Sequence, residues 1–167
     1  LLEAAEIVHD RGYGNISFCL VGDGPEKAKL MQQAKEMKLK NTSFRQPVPK
    51  DKVADVLEEA DVLVLTKAAT FGTYSGSILK LFDYMAASKP IICSAEMDYD
   101  PVKISNCGFT VPPEDPRALA EAIIELYTMQ VEERQAMGRR GREYVEKYHS
   151  ISVLANKLEQ VLDEVLA

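Results

Sequence analysis

Between Asp61 and Asp83 the sequence has no acidic residue, although the whole chain carries a net charge of −6. The only formal charges in that interval are Lys67 and Lys80. Its second half, Thr73-Tyr74-Ser75-Gly76-Ser77, is a polar loop that runs into a helix. Ser77 is a good N-cap, and the first turn behind it leaves backbone N–H groups free. In a locally positive region such a loop suits a bound phosphate. An ordinary capped helix after a loop explains this feature equally well.

Lys80 and Asp83 add a second observation. They lie three residues apart, on the side of the helix opposite Ile78, Leu81, Phe82 and Met85. Lys80 falls in the first turn, where the helix dipole disfavours a cation, and a bound anion would remove that conflict. Asp83, one turn on, could accept hydrogen bonds from two ribose hydroxyls. The competing reading is a solvated ion pair worth about 0.2–0.5 kcal/mol.

A second candidate is Val21-Gly22-Asp23-Gly24-Pro25, which follows an apolar run and opens a helix. Its glycines allow positive φ and close backbone approach, as a floor for a phosphate or sugar would need. A tight turn with Asp23 capping the helix fits the same residues. The dinucleotide fingerprint is not met, because the third glycine is absent and no acidic residue ends the next strand. His9 and His149 read as surface or packing residues on separate helices. No His-bearing nucleophile motif is present, and the run Arg139, Arg140, Arg142 reads as a solvated helix face.

The elements that must hold these residues alternate along the chain. Apolar strands are expected at Ile16–Val21, Thr42–Phe44, Val62–Leu65, Ile91–Cys93 and Phe109–Val111. Helices are expected over Leu1–Arg11, Pro25–Lys38 with Pro25 in its first position, Asp51–Ala60 and Ser77–Ala87, with a weaker one over Pro101–Asn106. Three more follow: one capped by Asp115, one carrying Arg134 to Tyr148, and one carrying Ile151 to Val165. Short apolar strands between amphipathic helices predict a doubly wound, Rossmann-like parallel sheet covered on both faces. Ligands of such a sheet bind beyond the C-terminal strand ends. That rule selects the loops Gly22–Pro25, Arg45–Pro49 and Thr66–Gly76.

At 167 residues, with 46% hydrophobic content, the chain suits one packed domain. No apolar run approaches the roughly 20 residues of a membrane-spanning helix, and no signal peptide is seen. A pI near 5.0 argues against a nucleic-acid partner. Cys19, Cys93 and Cys107 are odd in number and widely spaced in apolar surroundings, as expected of buried free thiols in a cytoplasmic protein without a metal site.

Taken together these segments resemble the C-terminal, donor-binding domain of family-4 (group 1) glycosyltransferases, one half of the two-domain GT-B fold. The resemblance spans nearly the whole chain. It is carried by LVGDGPEKAKLMQQAKEM, TSFRQPVPKDKVADVLEEADVLVLT, KLFDYMAASKPII, CGFTVPPEDPRALAEAI and ERQAMGRRGREYVEKYHS, of which KLFDYMAASKPII is the most specific. It implies a nucleotide-sugar donor, most simply UDP-linked, and transfer with retention. The KLFDYMA subtype implies bacterial surface polysaccharide synthesis, such as capsule or O-antigen. The implied donor-binding residues are Gly22, Gly24, Arg45, Thr73, Ser75, Gly76, Ser77, Lys80, Leu81 and Asp83, with Asp83 on the ribose and the Gly76–Ser77 backbone on the diphosphate. No catalytic residue, cofactor or metal is implied. Any membrane association would belong to the full-length protein.

Three departures qualify the match. Ser75 stands where the family often carries a first acidic residue, eight positions before Asp83. Gln46 replaces a usual glycine. The strand that normally opens the domain, its loop with an Arg/Lys pair, and the N-terminal acceptor domain are expected to be missing, so the isolated chain is expected to be inactive. The alternatives are a GT-B UDP-sugar epimerase and a non-catalytic doubly wound interaction or signalling module. The first would want His or acidic residues in Lys67–Ser77, which has none. A receiver-like module would need Asp where Thr66 ends its strand.

Overall fold

The computed structural model describes residues 1–67 and 78–166. Strands and helices alternate through β1 (Phe18–Val21), β2 (Thr42–Arg45), β3 (Leu63–Thr66), β4 (Ile91–Ser94) and β5 (Gly108–Val111). The helices are α1 (Leu2–Asp10), α2 (Lys27–Glu36), α3 (Val53–Glu58), α4 (Ile78–Ala86), α5 (Pro101–Ser105), α6 (Pro116–Thr128), α7 (Val131–His149) and α8 (Ile151–Leu166). All strand pairings are parallel, and the expected α/β class is observed.

The strands form two sheets rather than one. β1 pairs with β2, and β3, β4 and β5 pair in that order. Parallel ladders use alternate residues of a strand for each neighbour. The Phe18 and Gly22 N–H groups donate to Asn41 O and Arg45 O at 2.8 and 3.3 Å, so those of Cys19 and Val21 face the other edge of β1. Likewise Leu63 and Lys67 donate to Pro90 O and Ser94 O at 3.0 and 2.9 Å, leaving Val64 and Thr66 on the outer edge of β3. Among the described residues no backbone hydrogen bond joins these two edges.

Helices cover both faces. On one side α1 packs on α6 and α2, and its Ala4, Ala5 and Val8 share a core with Phe18 of β1 and Ile92 of β4. On the other, α4 packs on α7, and Leu81, Met85, Ile91, Cys93, Val102, Cys107 and Val145 form a second core. Ile92 points one way and its neighbours Ile91 and Cys93 the other, the period of two expected of a strand buried on both faces.

Local chemistry explains the ends of several elements. Asp115 accepts from the Arg117 and Ala118 N–H groups at 3.0 and 2.9 Å and starts α6 as expected. Asp100 does the same for α5 with Val102 and Lys103, each at 3.1 Å, a cap the sequence reading missed. α2 begins at Lys27, two residues after Pro25, so Pro25 is part of the turn and not the first helical residue.

Two sequence expectations are corrected. Cys19 is exposed, on the side of β1 opposite Phe18, which packs with α1; Cys93 and Cys107 are buried as expected. The arginine run is not simply solvated. Arg140 donates twice to Asn106 O, at 2.9 and 2.7 Å, and Arg142 donates to Ala86 O at 3.2 Å. The expected last helix, α8, is present and amphipathic, and none of its residues is buried.

Candidate functional site

Beyond the C-terminal ends of β1 and β2 lie the glycine turn and the loop Arg45–Pro49. Gly22 has φ +147, a conformation that L side chains rarely adopt. A Cβ at Gly22 or Gly24 would meet no atom within 4 Å, so space above the turn is open. A hollow of 220 Å³ lies there, lined by Leu20, Gly22, Gly24, Pro25, Lys27 and Phe44 among others. Asp23 does not cap α2; its carboxylate accepts from the Gly24 N–H at 2.9 Å and stabilises the turn itself.

Arg45 is held by its side chain at the end of β2. Its guanidinium pairs with Glu59 at 2.6 Å, which ties the end of β2 to the segment after α3. Its side chain is therefore engaged, while its carbonyl faces the glycine turn through the Gly22 N–H. The residue missed from sequence is Lys27, whose ammonium donates to Gly22 O, Arg45 O and Gln46 Oε1 at 2.8, 3.3 and 3.2 Å. The available signal was a lysine in a first helical turn, the same conflict with the dipole noted at Lys80.

α4 holds the remaining described site residues. Leu81 is fully buried against β4 and α7, so only its main chain could face a ligand. Lys80 and Asp83 are both exposed, on the side away from the core. No ion pair joins them among the described residues. Asp83 also borders a cleft of 720 Å³ lined by Leu57, Asp61, Ala87, Pro90 and Arg134 among others, which places that cleft at the N-terminal ends of β3 and β4, away from the strand ends where ligands of such a sheet bind. Thr73, Ser75, Gly76 and Ser77 lie outside the described residues.

Beside α4, an aromatic cluster closes the end of α7. His149 stacks on Phe82 with centroids 4.1 Å apart, and its Nε2 lies 3.1 Å from Tyr99 Oη, which also bonds Tyr144 Oη. Burial, and secondarily Lys157, holds the His149 pKa below its usual value. His149 is thus a packing residue, as the sequence suggested. Among the described residues no group of three or more His, Cys, Asp or Glu is placed to hold a metal. None of their helices is long and apolar enough to cross a membrane.

The fold agrees with comparison to known proteins. The family model "Glycosyl transferases group 1" matches residues 1–129, and the chain belongs to that family. A curated relative, the putative colanic acid biosynthesis glycosyltransferase WcaL of Escherichia coli, is 24% identical over 167 residues. That match covers 96% of this chain and 40% of the relative. The C-terminal domain of the group 1 glycosyltransferase LpcC from Francisella tularensis superposes with a TM-score of 0.73 at 18% identity, over 90% of this chain and 77% of that one. The pneumococcal O-GlcNAc transferase GtfA, solved with UDP and GlcNAc, gives a TM-score of 0.74 at 18% identity, over 98% of this chain and 32% of that one. The chain therefore has the architecture of one half of a GT-B glycosyltransferase and spans about two fifths of its curated relative.

Proposed function

We propose that this chain is the donor-binding domain of a retaining glycosyltransferase that uses a nucleoside-diphosphate sugar, most simply a UDP-sugar, in the cytoplasmic synthesis of a bacterial surface polysaccharide. The observation that carries the reading is the placement of Asp83. Its carboxylate is exposed on α4, the helix that follows β3, one turn beyond Lys80, and ligands of such a sheet bind at the ends where strands pass into helices. A carboxylate there suits two ribose hydroxyls, and the start of α4 with Lys80 suits the diphosphate. The UDP assignment draws on the nucleotide bound to the pneumococcal relative. Titration of UDP, GDP and ADP, followed by melting temperature, tests it. UDP should raise the melting temperature, and a protein including the acceptor half that ignores all three nucleotides at millimolar concentration would refute it.

The unjoined sheet edges support a second element of the reading. α1 and α2 pack together on one face, and βαβ crossovers are right-handed. A strand feeding α1 must then lie on the side of β1 opposite β2, between β1 and β3. We infer that polypeptide preceding Leu1 supplies this strand and, further back, the acceptor domain. The isolated chain would bind nucleotide without transferring sugar, because the groups that stabilise the departing diphosphate would lie in that polypeptide.

A further inference from the structure

Lys27 is half-buried at the first position of α2, where the helix dipole disfavours a positive charge. Its ammonium turns back and donates to three oxygens, Gly22 O at 2.8 Å, Arg45 O at 3.3 Å and Gln46 Oε1 at 3.2 Å. An ammonium has three donors, so this set is complete, and every acceptor is neutral. Lys27 makes no ion pair among the described residues. The three oxygens belong to two loops, one after β1 and one after β2. The only backbone bond between those loops is Gly22 N–H to Arg45 O, long at 3.3 Å.

We propose that Lys27 and Gln46 form a latch that sets the separation of the glycine turn from the loop Arg45–Pro49, and so shapes the nucleoside end of the donor site. The inference rests on the donor-binding reading for its functional consequence, though not for the latch itself. A cation that reaches three oxygens on two strand ends resists their parting more than the one long amide bond does. Gln46 carries the effect along the loop. It precedes Pro47, and Val48 precedes Pro49, so both residues are restricted to extended backbone. Anchoring the Gln46 side chain therefore orients a stiff segment up to Pro49. The third acceptor is the side chain itself, which a glycine at this position would lack. Lys27 acts here as a positioning residue: it binds no substrate atom, and its effect on the nucleotide passes through the loop.

The test compares Lys27→Met, Lys27→Arg and Gln46→Gly in two measurements. The first is amide hydrogen exchange at Gly22 and Gln46. The second is affinity for uridine and for UDP. Lys27→Met keeps the apolar stem and removes the donors. It should speed Gly22 exchange by about tenfold, as expected for local opening of one loop pair. It should weaken uridine and UDP by the same factor, about five- to tenfold for lost charge-assisted hydrogen bonds. Adding Gln46→Gly to Lys27→Met should change little further, because contacting residues couple, and Lys27→Arg should restore most of the affinity. A larger loss for UDP than for uridine would overturn the proposal, since Lys27 would then meet phosphate directly. Unchanged exchange in Lys27→Met would overturn it as well. If a parent protein that includes the acceptor half binds neither ligand, the donor-site reading fails, while the exchange comparison still decides whether the latch exists.

Discussion

Gly138→Ala should destabilise the protein although alanine is the better helix former. Gly138 lies within α7 where that helix crosses the turn between α4 and β4. A Cβ built there would sit 2.1 Å from Ser88 O, 2.6 Å from Ser88 C and 3.0 Å from Lys89 Cα. All three are backbone atoms, and Ser88 is itself held at φ +58, so the turn has little freedom to yield. To relieve the contact α7 and the turn must part by roughly 1 Å, and a gap of that size forfeits a quarter to a half of each van der Waals well it crosses. Overpacking of this kind costs about 1–3 kcal/mol, and contact between two backbones belongs at or above the upper end. Helix propensity returns about 1 kcal/mol to alanine. The net loss is about 2 kcal/mol, or a fall of about 4–8 °C in melting temperature for a chain of this length. Gly14→Ala is the control, because nothing lies within 4 Å of its Cβ position. It should melt within about 2 °C of the parent or slightly above it. Thermal unfolding followed by circular dichroism reads both. A Gly138→Ala protein that melts with the parent or later would show that α7 does not approach the turn this closely.

Further outcomes follow from burial and charge. Of the three thiols only Cys19 should react quickly with a disulfide reagent at pH 8; burial pushes Cys93 up to about 12 and Cys107 upward too, and all three should react in guanidinium. Two fast thiols in the native protein would contradict the core packing. His149 has a lowered pKa, so the unfolded chain takes up its proton first as pH falls. Its contribution to stability is present above pH ~6.5 and lost below it, and the acid-induced drop in melting temperature should shrink in His149→Gln; an equal drop in both would refute this. If a strand enters between β1 and β3, the amides of Cys19, Val21, Val64 and Thr66 should exchange slowly in the longer protein and quickly in the 167-residue chain. Phe18 and Leu63 should be protected in both, and equal exchange at Cys19 and Val64 in the two proteins would remove the strand.

What the sequence revealed and what it hid have physical causes. α6 was legible because its start signal and its core face are local: Asp115 caps, and Leu119, Ala122, Ile123 and Leu126 repeat at helical spacing. The same periodicity revealed α8 but not its surroundings, since an apolar stripe states what a helix would bury and not whether anything covers it. Cys19 failed for a related reason. An apolar run predicts burial on both faces, and the exposure of Cys19 on one face of β1 shows only in three dimensions. Asp83 was proposed as a site residue from its spacing from Lys80 on one helix. Lys27, Gln46 and the Arg45–Glu59 pair were not, because those contacts join segments up to 19 residues apart around strand ends. Arg140 and Arg142 looked like solvated charge because the carbonyls that accept from them belong to helix ends elsewhere in the chain.

The central claim is that α4 presents a diphosphate end at Lys80 and a ribose hook at Asp83. Parallel calorimetric titration of uridine and UDP into the parent, Asp83→Ala and Lys80→Ala proteins tests it most directly. Asp83→Ala should weaken both ligands, by about 10- to 100-fold for lost hydrogen bonds to a charged acceptor. Lys80→Ala should weaken UDP and leave uridine unchanged. Parent-like uridine affinity in Asp83→Ala, or equal losses for the two ligands in Lys80→Ala, would contradict it.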